Sequence, residues 1–272
     1  MSKDNLKIVP IDIDDSKFNR DELEPFVFPS CIIALGAVAS GKSTWLANFV
    51  RITEPIFKGN VILFSPTLKN DPILDKLIDD DDILEFFENY TNGILQKVLE
   101  TIGETDDDQK YLIIFDDILG SLPRANSRDA KWFDKFISTY RHGGGIAKEG
   151  QVSLVFCIQY FSGLTPTLRV NSSYYVLLGQ FGDKRLKQLA EELHPATGDN
   201  EADFYRVYNE AKKEPYDFLM LDFRKMKAYR NLTEVLYQRN QETMFQLLRL
   251  ITTIYIIIIT IDVVSIFFVF VC

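Results

Sequence analysis

The chain has 272 residues, enough for one large domain or one domain with appendages. Its formal net charge of −9 excludes a uniformly basic coat, so any contact with nucleic acid has to be local, in a loop or a pore lining. Three widely spaced cysteines and two histidines form neither a disulfide framework nor a metal-ligand spacing, which fits a reducing compartment.

Residues 1–24 are polar and acidic and read as a loose arm, with no signal peptide expected. Phe26-Val27-Phe28-Pro29 then leads into a buried strand, Cys31-Ile32-Ile33-Ala34-Leu35. The next stretch is Gly36-Ala37-Val38-Ala39-Ser40-Gly41-Lys42-Ser43-Thr44, which fits G-x-x-x-x-G-K-[ST], the Walker A pattern or P-loop. A triphosphate needs backbone N–H groups brought close to it, and Gly36 and Gly41 permit that approach. Lys42 is expected to reach the β- and γ-phosphates and Ser43 to ligate Mg²⁺. A helix from Ser43 to Ile52 adds its N-terminal dipole.

A second strand, Asn60 to Phe64, ends at Ser65-Pro66-Thr67. Asp71 to Glu100 has a helical pattern, with the Asp79-Asp80-Asp81-Asp82 run expected to cap a helix start in solvent. The Asp106-Asp107-Asp108 run reads the same way, as a solvated cap.

Tyr111-Leu112-Ile113-Ile114-Phe115-Asp116-Asp117 is a Walker B pattern. Four apolar residues carry two carboxylates to the end of a strand that should lie beside the phosphates. There Asp116 would complete the Mg²⁺ shell, and Asp117 would orient or deprotonate the attacking water.

Residues 120–150 hold Arg124, Arg128, Lys131, Lys135, Arg141 and Lys148. Ser127 is placed to cap a helix reaching Tyr140, and Gly143-Gly144-Gly145 reads as a flexible turn. Two readings stand for this segment: a loop-and-helix element touching nucleic acid, or a surface helix with a mobile loop. Val152 to Ile158 is another buried strand, ending in Gln159. Gln159 is either a sensor of the γ-phosphate or a plain strand-end residue. Arg169 precedes the strand Tyr174 to Leu178 and is either an arginine finger, in cis or in trans, or half of a structural ion pair. Gly182 to Lys213 has helical spacing broken at Pro195-Ala196-Thr197-Gly198, and Tyr216 to Asp222 reads as the last strand. His142 and His194 have no metal-spaced partner and read as non-catalytic.

These motifs in this order resemble the genome-packaging ATPases of poxviruses, giant viruses and virophages, within the FtsK–HerA superfamily of P-loop motors. The residues that carry the resemblance are GAVASGKST (36–44), LFSPT (63–67), YLIIFDD (111–117), Arg141-His142, SLVFCIQ (153–159), TPTLRVNSSYYVLL (165–178) and YDFLMLD (216–222). The resemblance runs from about Phe26 to Tyr229. It implies an α/β fold with a RecA-like, mostly parallel sheet and an extra strand between the P-loop and Walker B strands. It also implies a hexameric ring with ATP between subunits, double-stranded DNA and capsid proteins as partners, and location in the host cytoplasm, viral factory or virion. Lys42, Ser43, Asp116, Asp117 and Gln159 would serve the nucleotide, with Arg169 as the finger. The Gly143 to Gly150 insertion and the apolar tail depart from the family pattern.

The organisation expected is an arm at 1–24, an ATPase domain at 25–239 and a hydrophobic segment at 240–272. From Leu250 onward there are 16 residues of Leu, Ile, Val or Phe against the single charge of Asp262. At about −0.3 to −0.6 kcal/mol each they outweigh a cost of about 3 kcal/mol, so Leu247 to Cys272 reads as a single-pass anchor. A buried helix at a subunit contact and a tail unrelated to the ATPase's function are the other readings. Two other functions stay open. One is a different P-loop NTPase or kinase, although no N-K-x-D guanine motif is present. The other is a membrane-anchored assembly protein whose nucleotide site only regulates association.

Overall fold

The computed structural model describes residues 25–67, 71–79, 82–122 and 127–239. The acidic arm and the segment 240–272, with its expected apolar helix, lie outside these residues. Among the described residues, no helix is long and apolar enough to cross a membrane. The described residues up to Tyr237 fall in one compact unit.

The strands are β1 (Cys31–Leu35), β2 (Val61–Phe64), β3 (Glu85–Phe87), β4 (Tyr111–Asp116), β5 (Val152–Ile158), β6 (Tyr174–Leu177), β7 (Leu219–Asp222), β8 (Lys227–Arg230) and β9 (Glu234–Gln238). The helices are α1 (Lys42–Phe57), α2 (Pro72–Asp79), α3 (Asn92–Gly103), α4 (Arg128–Thr139), α5 (Pro166–Asn171), α6 (Asp183–Leu193) and α7 (Glu201–Ala211). One sheet holds these strands in the order β3-β2-β4-β5-β1-β6-β7-β8-β9. Neighbours are parallel from β3 to β6, and β7 and β8 add antiparallel strands at that edge. The additional strand between the P-loop strand and the Walker B strand is β5.

The central strands are buried along their whole length because helices cover both faces. Side chains alternate between two cores. Cys31, Ile33 and Leu35 join the core under α3, α4, α6 and α7, while Ile32 and Ala34 join the one under α1 and α2. Aromatic rings fill the first core in a chain, with Phe64, Phe115 and Phe156 stacked in succession across β2, β4 and β5.

Several sequence expectations are corrected. The helix after the P-loop continues past Ile52 to Phe57, because Thr53 and Phe57 extend its buried face and Pro55 falls in the last turn. The segment 71–100 is not continuously helical. The short strand β3 interrupts it, and its mostly exposed Glu-Phe-Phe has no period to reveal it. Of the aspartate run, Asp79 closes α2 instead of opening a helix, and Asp82 meets Arg51 of α1 at 3.4 Å. Thr91 caps the next helix, α3. Asp107 pairs with Lys148 at 2.6 Å. Tyr216 to Asp222 is not the last strand, since β8 and β9 follow through short turns.

The glycine turn is packed as well as tightly bent. Gly144 has φ +65°, and a Cβ there would sit 2.6 Å from the Phe136 ring, so α4 rests directly on the backbone.

Candidate active site

A parallel sheet presents its strand carboxyl ends on one edge, and the predicted nucleotide residues converge there. Register sets the geometry: Leu35 pairs with Ile158, and Asp116 with Cys157. The Gly36 N–H donates to the Ile158 carbonyl at 3.1 Å, and that of Asp117 to the Cys157 carbonyl at 3.0 Å. The loop after β1, the Walker B pair after β4 and Gln159 after β5 are thereby fixed side by side.

Residues 36–44 form the loop and the first turn of α1. Gly41 caps that helix with φ 88°, and Ala39 also lies in the left-handed region. Val38 is 77 % exposed at the tip. Gly36 is required by packing inside the loop, since a Cβ would lie 2.2 Å from Ser40 Oγ. Gly179, just past β6, presses on Ser40 from the other side. Lys42 Nζ donates to the carbonyls of Gly36 and Ala37, both at 2.8 Å. Burial lowers the Lys42 pKa, with Asp116 and Asp117 among the groups pulling the other way.

Asp116 is 6 % exposed and accepts a hydrogen bond from Ser65 Oγ at 2.9 Å. Burial pushes its pKa up to about 6. The Ser65 bond and Lys42 oppose the rise, and Asp117 and Asp71 add to it. Asp117 turns away from the strand in a left-handed conformation, φ 49°. That turn aims its carboxylate at Gln159, whose Nε2 donates to both Asp117 oxygens at 3.1 Å. Cys157 is fully buried, and burial holds its thiol well above the ordinary range.

Two participants carry no role in the sequence analysis. Ser65, inside the LFSPT stretch, holds Asp116. Asp71 accepts a 2.5 Å hydrogen bond from Ser43 Oγ. An aspartate before proline reads as an ordinary helix cap, and nothing in its spacing ties it to the P-loop. The oxygen donors of Ser43 and Asp116 suit a hard cation such as Mg²⁺. Among the described residues, no three His, Cys, Asp or Glu gather closely enough to hold a metal alone. Magnesium in such sites usually completes its shell with phosphate and water.

Arg169 is not part of this cluster. It lies on α5, pairs with Glu192 of α6 and sits over the Phe161 ring at 5.4 Å. Among the basic residues of 120–150, Arg141 binds Tyr140 and Ser173, and Lys148 binds the Thr105 carbonyl and Asp107. Arg128, Lys131 and Lys135 are exposed on α4. His142 meets Glu149, and His194 meets the Ala190 carbonyl, both outside the cluster.

No family model matches the sequence, and no curated protein matches it. Solved structures do. The DNA-packaging ATPase B204 of Sulfolobus turreted icosahedral virus aligns with TM-score 0.56 at 13 % identity, over 75 % of this chain and 98 % of that one. The genome packaging NTPase B204 of Sulfolobus turreted icosahedral virus 2, in complex with ATP-gammaS, aligns with TM-score 0.55 at 12 % identity, over 76 % and 98 %. The pCW3 conjugation coupling protein TcpA, with ATPgS, gives 0.50 at 11 %, over 79 % and 62 %. The chain therefore has the fold of packaging and coupling NTPases, in keeping with the resemblance carried by its motifs.

Proposed function

We propose that this chain is an ATP-hydrolysing motor that moves double-stranded DNA into a viral capsid, working as a homo-oligomeric ring. The observation that carries the reading is the Asp117–Gln159 pair standing beside the P-loop lysine. A site built only to bind nucleotide has no need of a carboxylate and an amide linked in this way. Asp117 supplies an acceptor for the proton of an attacking water. The Gln159 amide donates to both oxygens of that carboxylate and orients it. A γ-phosphate in the loop would be a charged acceptor for that amide. Lys42 Nζ, which lies on the Gly36 and Ala37 carbonyls, would donate to phosphate oxygens. Ser43 and Asp116 would hold Mg²⁺, which when bound neutralises charge on the β- and γ-oxygens.

The fold shared with packaging and coupling proteins supports DNA as the substrate that is moved. Arg128, Lys131 and Lys135 lie at helical spacing on the exposed face of α4, the helix that follows Walker B in the chain, and contact DNA through its phosphates, without reading sequence. Arg169 acts on the ATP of a neighbouring subunit. Capsid proteins are the docking partners, in the host cytoplasm, viral factory or virion, with Leu247 to Cys272 as a membrane tether.

The test is ATP hydrolysis by the full chain with and without duplex DNA, alongside the size of the assembly. DNA stimulates the wild type, and Lys42→Ala abolishes turnover. Hydrolysis by an assembled ring that is indifferent to DNA overturns the motor reading. Transfer of the phosphoryl group to a small acceptor instead of water supports a kinase. Nucleotide-dependent assembly without turnover supports a regulatory protein.

A further inference from the structure

The ATPase reading leaves Asp71 unused, yet this carboxylate touches the P-loop directly. Its two oxygens are committed to different elements. Oδ1 accepts the backbone N–H groups of Ile73 at 3.0 Å and Leu74 at 3.4 Å, which are unpaired donors in the first turn of α2. Pro72 occupies the first helical position, where its missing N–H costs nothing. Oδ2 accepts the Ser43 hydroxyl at 2.5 Å, 28 residues away in sequence. The carboxylate is thus locked by a helix cap at one oxygen and presented to Ser43 with the other.

The direction of this bond matters. A serine hydroxyl has one proton and two lone pairs. When the proton is given to Asp71, both lone pairs remain for a cation, and hydrogen bonding to a carboxylate raises the basicity of the oxygen. Partners of this outer kind orient a metal ligand and fix which of its atoms face the ion. We infer that Asp71 is a positioning residue for the magnesium–nucleotide complex, holding the Ser43 hydroxyl with its lone pairs toward the cation. The inference rests on the proposed nucleotide site. It adds a link between the start of α2 and the start of α1, so the loop after β2 is tied to the state of the phosphate loop.

Asp71→Asn tests the polarity of the bond. Asparagine still caps α2 through its side-chain oxygen, but it turns a hydrogen-bond donor toward Ser43. Asp71→Ser keeps a cap and is too short to reach Ser43, so it covers the case in which the asparagine variant does not fold. The measurement is binding of a fluorescent ATP analogue by the full chain, in EDTA and across a Mg²⁺ titration. The expected result is a rise of about tenfold or more in the Mg²⁺ concentration at half-saturation. Affinity in EDTA should stay at the wild-type value, which a merely structural defect would not allow. An unchanged Mg²⁺ requirement overturns the inference, and so does an equal loss of affinity with and without Mg²⁺. Failure of the wild type to bind the analogue under any condition overturns the nucleotide reading itself. The two failures are therefore distinguishable.

Discussion

Asp116→Asn should stabilise the nucleotide-free protein while destroying its activity. Asp116 is 6 % exposed, and burial raises its pKa from 3.8 to about 6. The unfolded chain releases this proton near pH 4, whereas the folded chain keeps it until about pH 6. The stability associated with the neutral carboxyl is therefore fully present below about 3.8 and lost as pH rises through about 6. Asparagine is neutral at every pH, and its oxygen can still accept the Ser65 hydrogen bond. The variant should exceed the wild type by about 0.5 kcal/mol at pH 4, by about 1.5 kcal/mol at pH 5 and by about 3 kcal/mol at pH 7.5. Urea unfolding in EDTA at the three pH values measures the gap, and titrations shared by both chains cancel in it. ATP hydrolysis at pH 7.5 should be lost. A variant that is less stable than the wild type at pH 7.5, or a gap that does not change with pH, refutes the argument that Asp116 is held there at a cost for function.

The Gln159 amide holds both Asp117 oxygens, so Gln159→Ala should lower kcat by about a hundredfold and leave KM nearly unchanged in steady-state assays. Replacing Arg128, Lys131 and Lys135 together with alanine should lower the slope of log affinity for duplex DNA against log salt by about 2 to 3, because each lost phosphate contact removes about one unit. Gly144→Ala should destabilise the fold by about 2–3 kcal/mol in urea unfolding, since its Cβ meets the Phe136 ring at 2.6 Å and its φ is +65°. The full chain should float with liposomes, and a chain ending before Leu247 should not.

What was legible in the sequence follows from short-range chemistry. The P-loop, the Walker B strand and the strand ending in Gln159 declare themselves because each is an apolar run ending in a polar residue of defined type. Their convergence needed only the rule that parallel strands share a carboxyl edge. The failures have other causes. Strand β3 is three residues at a sheet edge with Glu85 and Phe86 exposed, so burial leaves no pattern in it. Strands β8 and β9 depend on neighbours for their pairing. Asp71 was invisible because its partner sits at the start of another helix, and because a cap looks the same whether or not its second oxygen has work elsewhere. The glycine run misled in the opposite direction. Glycines serve a packed turn as readily as a mobile one, and only the Phe136 ring over Gly144 distinguishes them.

Arg169 is held apart from the phosphate loop by its own contacts. Cys31 opens β1 and Gly36 follows its far end, so the two are separated by roughly a strand length of 15 Å. Ser172, three residues after Arg169, lies against Cys31 at 3.5 Å. The Arg169 carbonyl also accepts the Tyr175 hydroxyl, and its guanidinium donates to Glu192. These contacts hold its guanidinium on Glu192 and over Phe161, outside the hydrogen-bond network of Lys42, Asp117 and Gln159. A finger, in cis or in trans, would first have to break the Glu192 pair. In the proposed ring, exchange of that pair for a neighbour's phosphate would make hydrolysis depend on assembly.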